Sequence, residues 1–128
     1  MTGVQTCALP ILFAALTGNR YQEITREGEA PVSVKINNKD IPTDLLSGGT
    51  AASLGLAVRL AYAKRYLKDM EGFFVLDDPF TEMDEDRRLL ATQTLLNFAE
   101  DKQTFLFTCH PAHAKSFLHA HQITLSRM

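Results

Sequence analysis

Gly72-Phe73-Phe74-Val75-Leu76-Asp77-Asp78-Pro79-Phe80 decides how the chain is read. Four apolar residues in a row, opened by Gly and followed shortly by Pro, predict a strand over Phe73–Leu76 buried on both faces. Two carboxylates stand at its carboxyl end, where open α/β sheets bind their ligands. Successive strand residues point to opposite faces, so Asp77 and Asp78 are expected to do different jobs. One suits a hard cation such as Mg²⁺, and the other can face a reacting group. Taken alone, such a pair is better read as a solvated acidic turn.

The flanking sequence supplies more. Upstream lies Leu45-Leu46-Ser47-Gly48-Gly49-Thr50, with Ser47 placed to cap a helix from about Gly49 to Leu67. Leu56, Leu60, Ala63 and Leu67 share one face of that helix, and Lys64, Arg65 and Lys68 crowd its carboxyl end, where cations are favoured. Its amino end then offers unpaired N–H groups to an anion. Downstream, Thr81-Glu82-Met83-Asp84 has capping-box spacing, and Asp84 can itself cap a helix from Glu85 to about Glu100. Gln103–Thr108 reads as a second interior strand, so strand, helix and strand form a βαβ unit with parallel neighbours. That strand runs into Cys109-His110-Pro111, and a short helix is expected from Pro111 to about His119. Ile123–Leu125 can add one more strand.

A Ser-Gly-Gly turn, a strand ending Asp-Asp, a further Asp and a strand ending in His occur in this order. The pattern resembles the second half of an ABC-type ATPase head, in which these are the signature motif, Walker B, D-loop and switch histidine. The surrounding residues are most similar to the SMC branch of SbcC-, RecN- and YhaN-like ATPases, over roughly Leu16 to Leu125. The resemblance implies an α/β fold, the carboxyl-terminal half of a P-loop NTPase head, with parallel interior strands, flanking helices and a short antiparallel lead-in. It implies ATP and Mg²⁺ as ligands. Asp77 would help hold Mg²⁺, Asp78 would orient and polarise the attacking water, and His110 would contact the γ-phosphate. Ser47, Gly48 and Gly49 would grip ATP held by a second head, with Asp84 at the interface of that homodimer. It further implies double-stranded DNA and a nuclease as partners of the parent chain, a cytoplasmic location, no membrane, and work in DNA repair or metabolism. Asp78 stands where most of the superfamily has Glu, one methylene longer, which points to slow hydrolysis. Thr50 stands where Glu or Gln is commoner. Arg59 lies within a run similar to the signature helix, where a basic residue relays nucleotide state; an Arg stem covering an apolar face explains it equally.

Met1–Ile11 resembles the in-frame translation of a short-read sequencing adapter and is set aside. A secretory signal is the other reading, but no basic residue precedes its apolar core and no Ala-x-Ala site follows. On this division, residues 12–20 would end a coiled-coil arm and 21–128 would form the carboxyl-terminal lobe of the head. Short antiparallel strands are expected at Tyr21–Thr25, Val32–Ile36 and Asp40–Ile41, with Asn37-Asn38 as a turn. The loop G-x-x-x-x-G-K-[ST] occurs nowhere in these residues, so a P-loop half is expected as a separate partner, and the 128 residues alone should be inactive.

The 45% hydrophobic and 22% charged content fits one globular domain. A net charge of −2 excludes a strongly basic nucleic-acid surface, so any DNA contact must be local or lie elsewhere in a parent chain. Cys7 and Cys109 make no disulfide framework. A soft-metal cluster around Cys109, His110 and His113 lacks a second native Cys, and His113, His119 and His121 are expected on the surface. Two other function classes stay open: a transporter's nucleotide-binding subunit, which the β-rich lead-in disfavours, and a non-hydrolysing nucleotide-gated scaffold.

Overall fold

In the computed structural model, residues 3–21, 23–28 and 30–127 are described, with side chains from residue 8 onward. The chain runs α1 (Gly3–Leu16), β1 (Glu23–Glu27), β2 (Ala30–Ile36), β3 (Lys39–Pro42), a 3₁₀ turn (Thr43–Leu45), α2 (Gly48–Tyr66), β4 (Phe73–Asp77), α3 (Glu85–Ala99), β5 (Gln103–Phe107) and α4 (Pro111–Lys115). Three strands pair antiparallel in the order β1-β2-β3, and β4 pairs parallel with β5. This is the mixed α/β arrangement expected from the sequence.

Helix α1 turns Leu9, Leu12, Phe13 and Leu16 inward at helical spacing, against α2 and α3. It therefore starts inside the stretch set aside as adapter-like, and Leu9 of that stretch is buried. Beyond Leu16 the chain reverses through Gly18 and Asn19, both with positive φ. The Asn37-Asn38 turn likewise has φ of 49° and 61°, the left-handed pair that a tight hairpin needs. Strand β1 begins two residues later than expected, because Tyr21 leaves the sheet to lie against Phe13, with ring centroids 5.1 Å apart.

The core gathers Leu54, Leu56, Ala57, Leu60 and Ala63 of α2 with Ala91, Leu95 and Phe98 of α3 and Leu76 of β4. Both long helices start on a side-chain cap: Ser47 accepts from the Thr50 N–H and Asp84 from the Arg87 N–H.

Three expectations are corrected. Strand β4 is not buried on both faces. Phe74, Leu76 and Leu106 turn towards the helices, whereas Phe73 is 63% exposed and Val75, Phe105 and Phe107 also face outward. Apolar composition marks a strand for burial but does not say which faces this stretch of chain can cover. Helix α4 stops at Lys115 rather than near His119, because the Gln122 side chain donates to the carbonyls of Ala114 and Phe117 and the chain turns there. Ile123–Leu125 forms no strand; it pairs with no other described strand, and Ile123 and Leu125 are exposed.

Leu60 of α2, fully buried in this core, tests it. Leu60→Ala should destabilise the chain by about 2–5 kcal/mol. Guanidinium unfolding would show it as a lower midpoint with an unchanged slope.

Candidate functional site

Two clusters carry the residues singled out from the sequence. The first lies beyond the tips of β4 and β5. Parallel pairing places Asp77 opposite Phe107, and the next residue, Asp78, leaves the strand with φ 42°. Its N–H still donates to the Phe107 carbonyl at 2.7 Å, extending the ladder by one bond. A left-handed non-glycine residue is uncommon, and Asp tolerates it better than most. The turn redirects the Asp78 side chain to the tip of β5. There the Thr108 hydroxyl donates to Oδ1 at 2.6 Å, the Cys109 N–H approaches both oxygens at 3.4 and 3.5 Å, and the Cys109 thiol donates to Oδ2 at 3.2 Å. The His110 N–H in turn donates to the Thr108 hydroxyl oxygen at 3.1 Å.

Electrostatics follow from these contacts. The Thr108 hydroxyl, then the Cys109 thiol, hold the Asp78 carboxyl below its ordinary pKa. Donation to Asp78, helped by burial and by the carboxylate charges, pushes the Cys109 thiol up, so it stays protonated. Asp78, His110 and His113 bring one ligand-type atom each to within 4.8 Å of one another. Asp77 stays exposed at the strand tip, a free-standing hard oxygen donor of the kind Mg²⁺ takes.

His113 overturns a sequence expectation. It is buried, not on the surface, because the first turn of α4 directs it inward. Its ring meets Phe80 edge-on at 5.8 Å and lies 4.6 Å from His110. Burial lowers its pKa, with His110 and Arg88 adding to that effect, and its Nδ1 has no hydrogen-bond partner. His119 and His121 are exposed as expected.

The second cluster joins the start of α2 to the start of α3. Ser47 Oγ accepts from the Thr50 N–H and donates to Thr50 Oγ1 at 2.9 Å. Arg87 Nη2 donates to the same Thr50 oxygen at 3.2 Å, while its Nη1 pairs with Asp84. One guanidinium thus links the turn at Ser47 to the loop at Asp84. Gly49 is needed for this approach: a Cβ there would stand 3.1 Å from Arg87 Cδ and 3.2 Å from the Glu82 carbonyl oxygen. The Arg87 N–H donation to Asp84, against some burial and with the guanidinium charge assisting, lowers the Asp84 pKa. Among the described residues no hydrogen bond bridges the two clusters.

Thr108 and Arg87 were not singled out from the sequence, and Cys109 and His113 were weighed there only as members of a soft-metal cluster. Each acts across 30 or more positions of sequence or through a helix direction that periodicity over so short a stretch does not fix. Arg59 extends to the Val75 carbonyl at 3.4 Å and lies 5.9 Å from the Phe74 ring centroid, joining α2 to β4.

No protein-family model matches the chain. It is 34% identical over 80 residues to a DNA double-strand break repair Rad50 ATPase of Pyrococcus abyssi, covering 60% of this chain and 9% of that protein. To the uncharacterised protein YhaN of Bacillus subtilis it is 32% identical over 115 residues, covering 87% of this chain and 12% of YhaN. The chain thus spans about a tenth of the length of these curated relatives. Among solved structures, the SMC head domain from Thermotoga maritima superposes with a TM-score of 0.68 at 22% identity, over 91% of this chain and 41% of that one. A structure described in terms of ATP-driven dimerisation and DNA-stimulated activation of SMC ATPases gives 0.66 at 14% identity, over 90% and 74%. The chain is thus similar in sequence to Rad50 ATPases and to YhaN, and it has the fold of part of an SMC head domain.

Proposed function

We propose that these residues form the carboxyl-terminal lobe of an ATP-hydrolysing SMC-like head that acts on DNA, with ATP held between two heads. The observation that carries this reading is the hold of the β5 tip on Asp78, with His110 beside it. In hydrolysis, water attacks the γ-phosphorus, the bond to the β-phosphate oxygen breaks, and ADP and phosphate leave. Asp78 is the acceptor for the water's proton, and His110 donates a hydrogen bond to a γ-phosphate oxygen. Asp77 is the residue that would hold Mg²⁺, usually through water, and the ion would supply charge neutralisation at the phosphates. Catalysis of this type rests on positioning, and three donors on the Asp78 carboxylate fix its place while weakening it as a base. Hydrolysis is therefore slow.

Ser47 and the first N–H groups of α2 act on ATP held by the second head, and Asp84, tied to them through Arg87, lies at the same interface. The dimerisation named for the SMC ATPase structure supports this arrangement. The open face of β4 and β5, with Phe73, Val75, Phe105 and Phe107, is where a half bearing the P-loop packs. The P-loop backbone and Lys supply most of the ATP contacts, so hydrolysis requires both halves.

Co-expression with an amino-terminal half carrying a P-loop provides the test. In that head Asp78→Asn should retain ATP binding and slow hydrolysis by about 10²-fold or more, whereas Asp77→Asn should weaken Mg²⁺-dependent binding. Normal turnover in both variants would remove Asp77 and Asp78 from the mechanism. Ser47→Arg should spare ATP binding and abolish ATP-dependent dimers in sedimentation. Dimers that survive the substitution would contradict the shared site.

A further inference from the structure

Asp78, His110 and His113 present a carboxylate oxygen and two imidazole nitrogens within 4.8 Å of one another. We propose that these three side chains bind one divalent transition-metal ion, of the zinc or cobalt class, at the tip of β5.

The donor set selects the class of ion. Mg²⁺ takes oxygen ligands and dehydrates reluctantly, whereas imidazole nitrogen suits zinc, cobalt, nickel and iron. Two His and one carboxylate leave a fourth position for water or a phosphate oxygen, the pattern of an open site. A tetrahedral ion with bonds of about 2.1 Å needs ligand atoms about 3.4 Å apart, so the side chains must close by little more than an ångström. Their backbones are already fixed: Asp78 by its bond to Phe107, His110 by its bond to Thr108, and His113 by the His113 N–H to His110 carbonyl bond at 3.0 Å.

His113 gives the second, separate indication. It is only 8% exposed, and its Nδ1 is buried without a hydrogen-bond partner. Buried polar atoms are rarely left so, and ligation through this nitrogen would satisfy it. Phe80 packs edge-on against the imidazole, and Phe117 in turn stacks on Phe80. The Arg88 charge reaches His113 and opposes a cation, and the Asp78 carboxylate is the charge that offsets it. Cys109 is not among the three ligands; its thiol is occupied as a donor to Asp78.

An ion here would engage the residues assigned above as base and phosphate contact. On that reading it would stop hydrolysis while leaving ATP bound. The metal site itself does not depend on that reading, and it can be tested without nucleotide. Co²⁺ titrated into the 128-residue chain, followed by visible absorption, should give saturable one-to-one binding, with displacement by Zn²⁺ and none by excess Mg²⁺. His113→Ala and His110→Ala should each weaken binding by at least about tenfold, the loss that even an outer-shell change produces. Exposed His119→Ala should leave it unchanged. Asp78→Asn, altered at the surface, keeps the test decisive if His113→Ala fails to fold, and it should weaken binding likewise. The site is overturned by absence of saturable binding, by undiminished affinity in His113→Ala or Asp78→Asn, or by a sulfur-to-cobalt charge-transfer band placing the ion on a cysteine.

Discussion

The Asp78 N–H to Phe107 carbonyl bond is the contact on which the rest of the site depends. It carries the parallel ladder one residue past the end of β4 and lets Asp78 enter a left-handed turn. Without β5 alongside, nothing would bring a residue of one strand tip to Thr108, Cys109 and His110 at the other. The core beneath exists to keep these two tips together: Leu76 and Phe74 anchor β4 on the helices, and Phe98 of α3 meets Phe74 at 5.5 Å.

A second constraint acts at the amino ends of α2 and α3. Each helix is capped by its own side chain, but Arg87 makes the two caps one structure by reaching both Asp84 and Thr50. Thr50 is buried and takes a hydrogen bond from each side. A short hydroxyl fits there because Gly49 lets α3 come so close.

Local rules made much of the fold readable. Ser47 and Asp84 were legible as caps, Asn37-Asn38 as a tight turn, and Phe73–Leu76 as a strand, because each depends on neighbours in sequence. Motif order singled out Asp78 and His110, and the structure brings the two together at the strand tips. What failed was long-range. An unbroken apolar run does not say which face is covered, so Phe73 and Val75 read as buried. His113 reads as surface in a polar stretch, but Phe80, distant in sequence, packs against its ring. Ile123–Leu125 has strand composition, but a strand also needs an edge to pair with.

Asp78 is held low in pKa chiefly by the Thr108 hydroxyl, and this sets the pH range in which it can accept a proton. On the proposed mechanism, the base form persists as pH falls until the depressed pKa is reached, and the rate is lost below it. Thr108→Val removes the largest cause of that depression. In a head reconstituted with its P-loop half, the acid limb of hydrolysis should move to higher pH in Thr108→Val. An acid limb at the same pH in both proteins would contradict the assignment of Asp78, held by β5, as the proton acceptor.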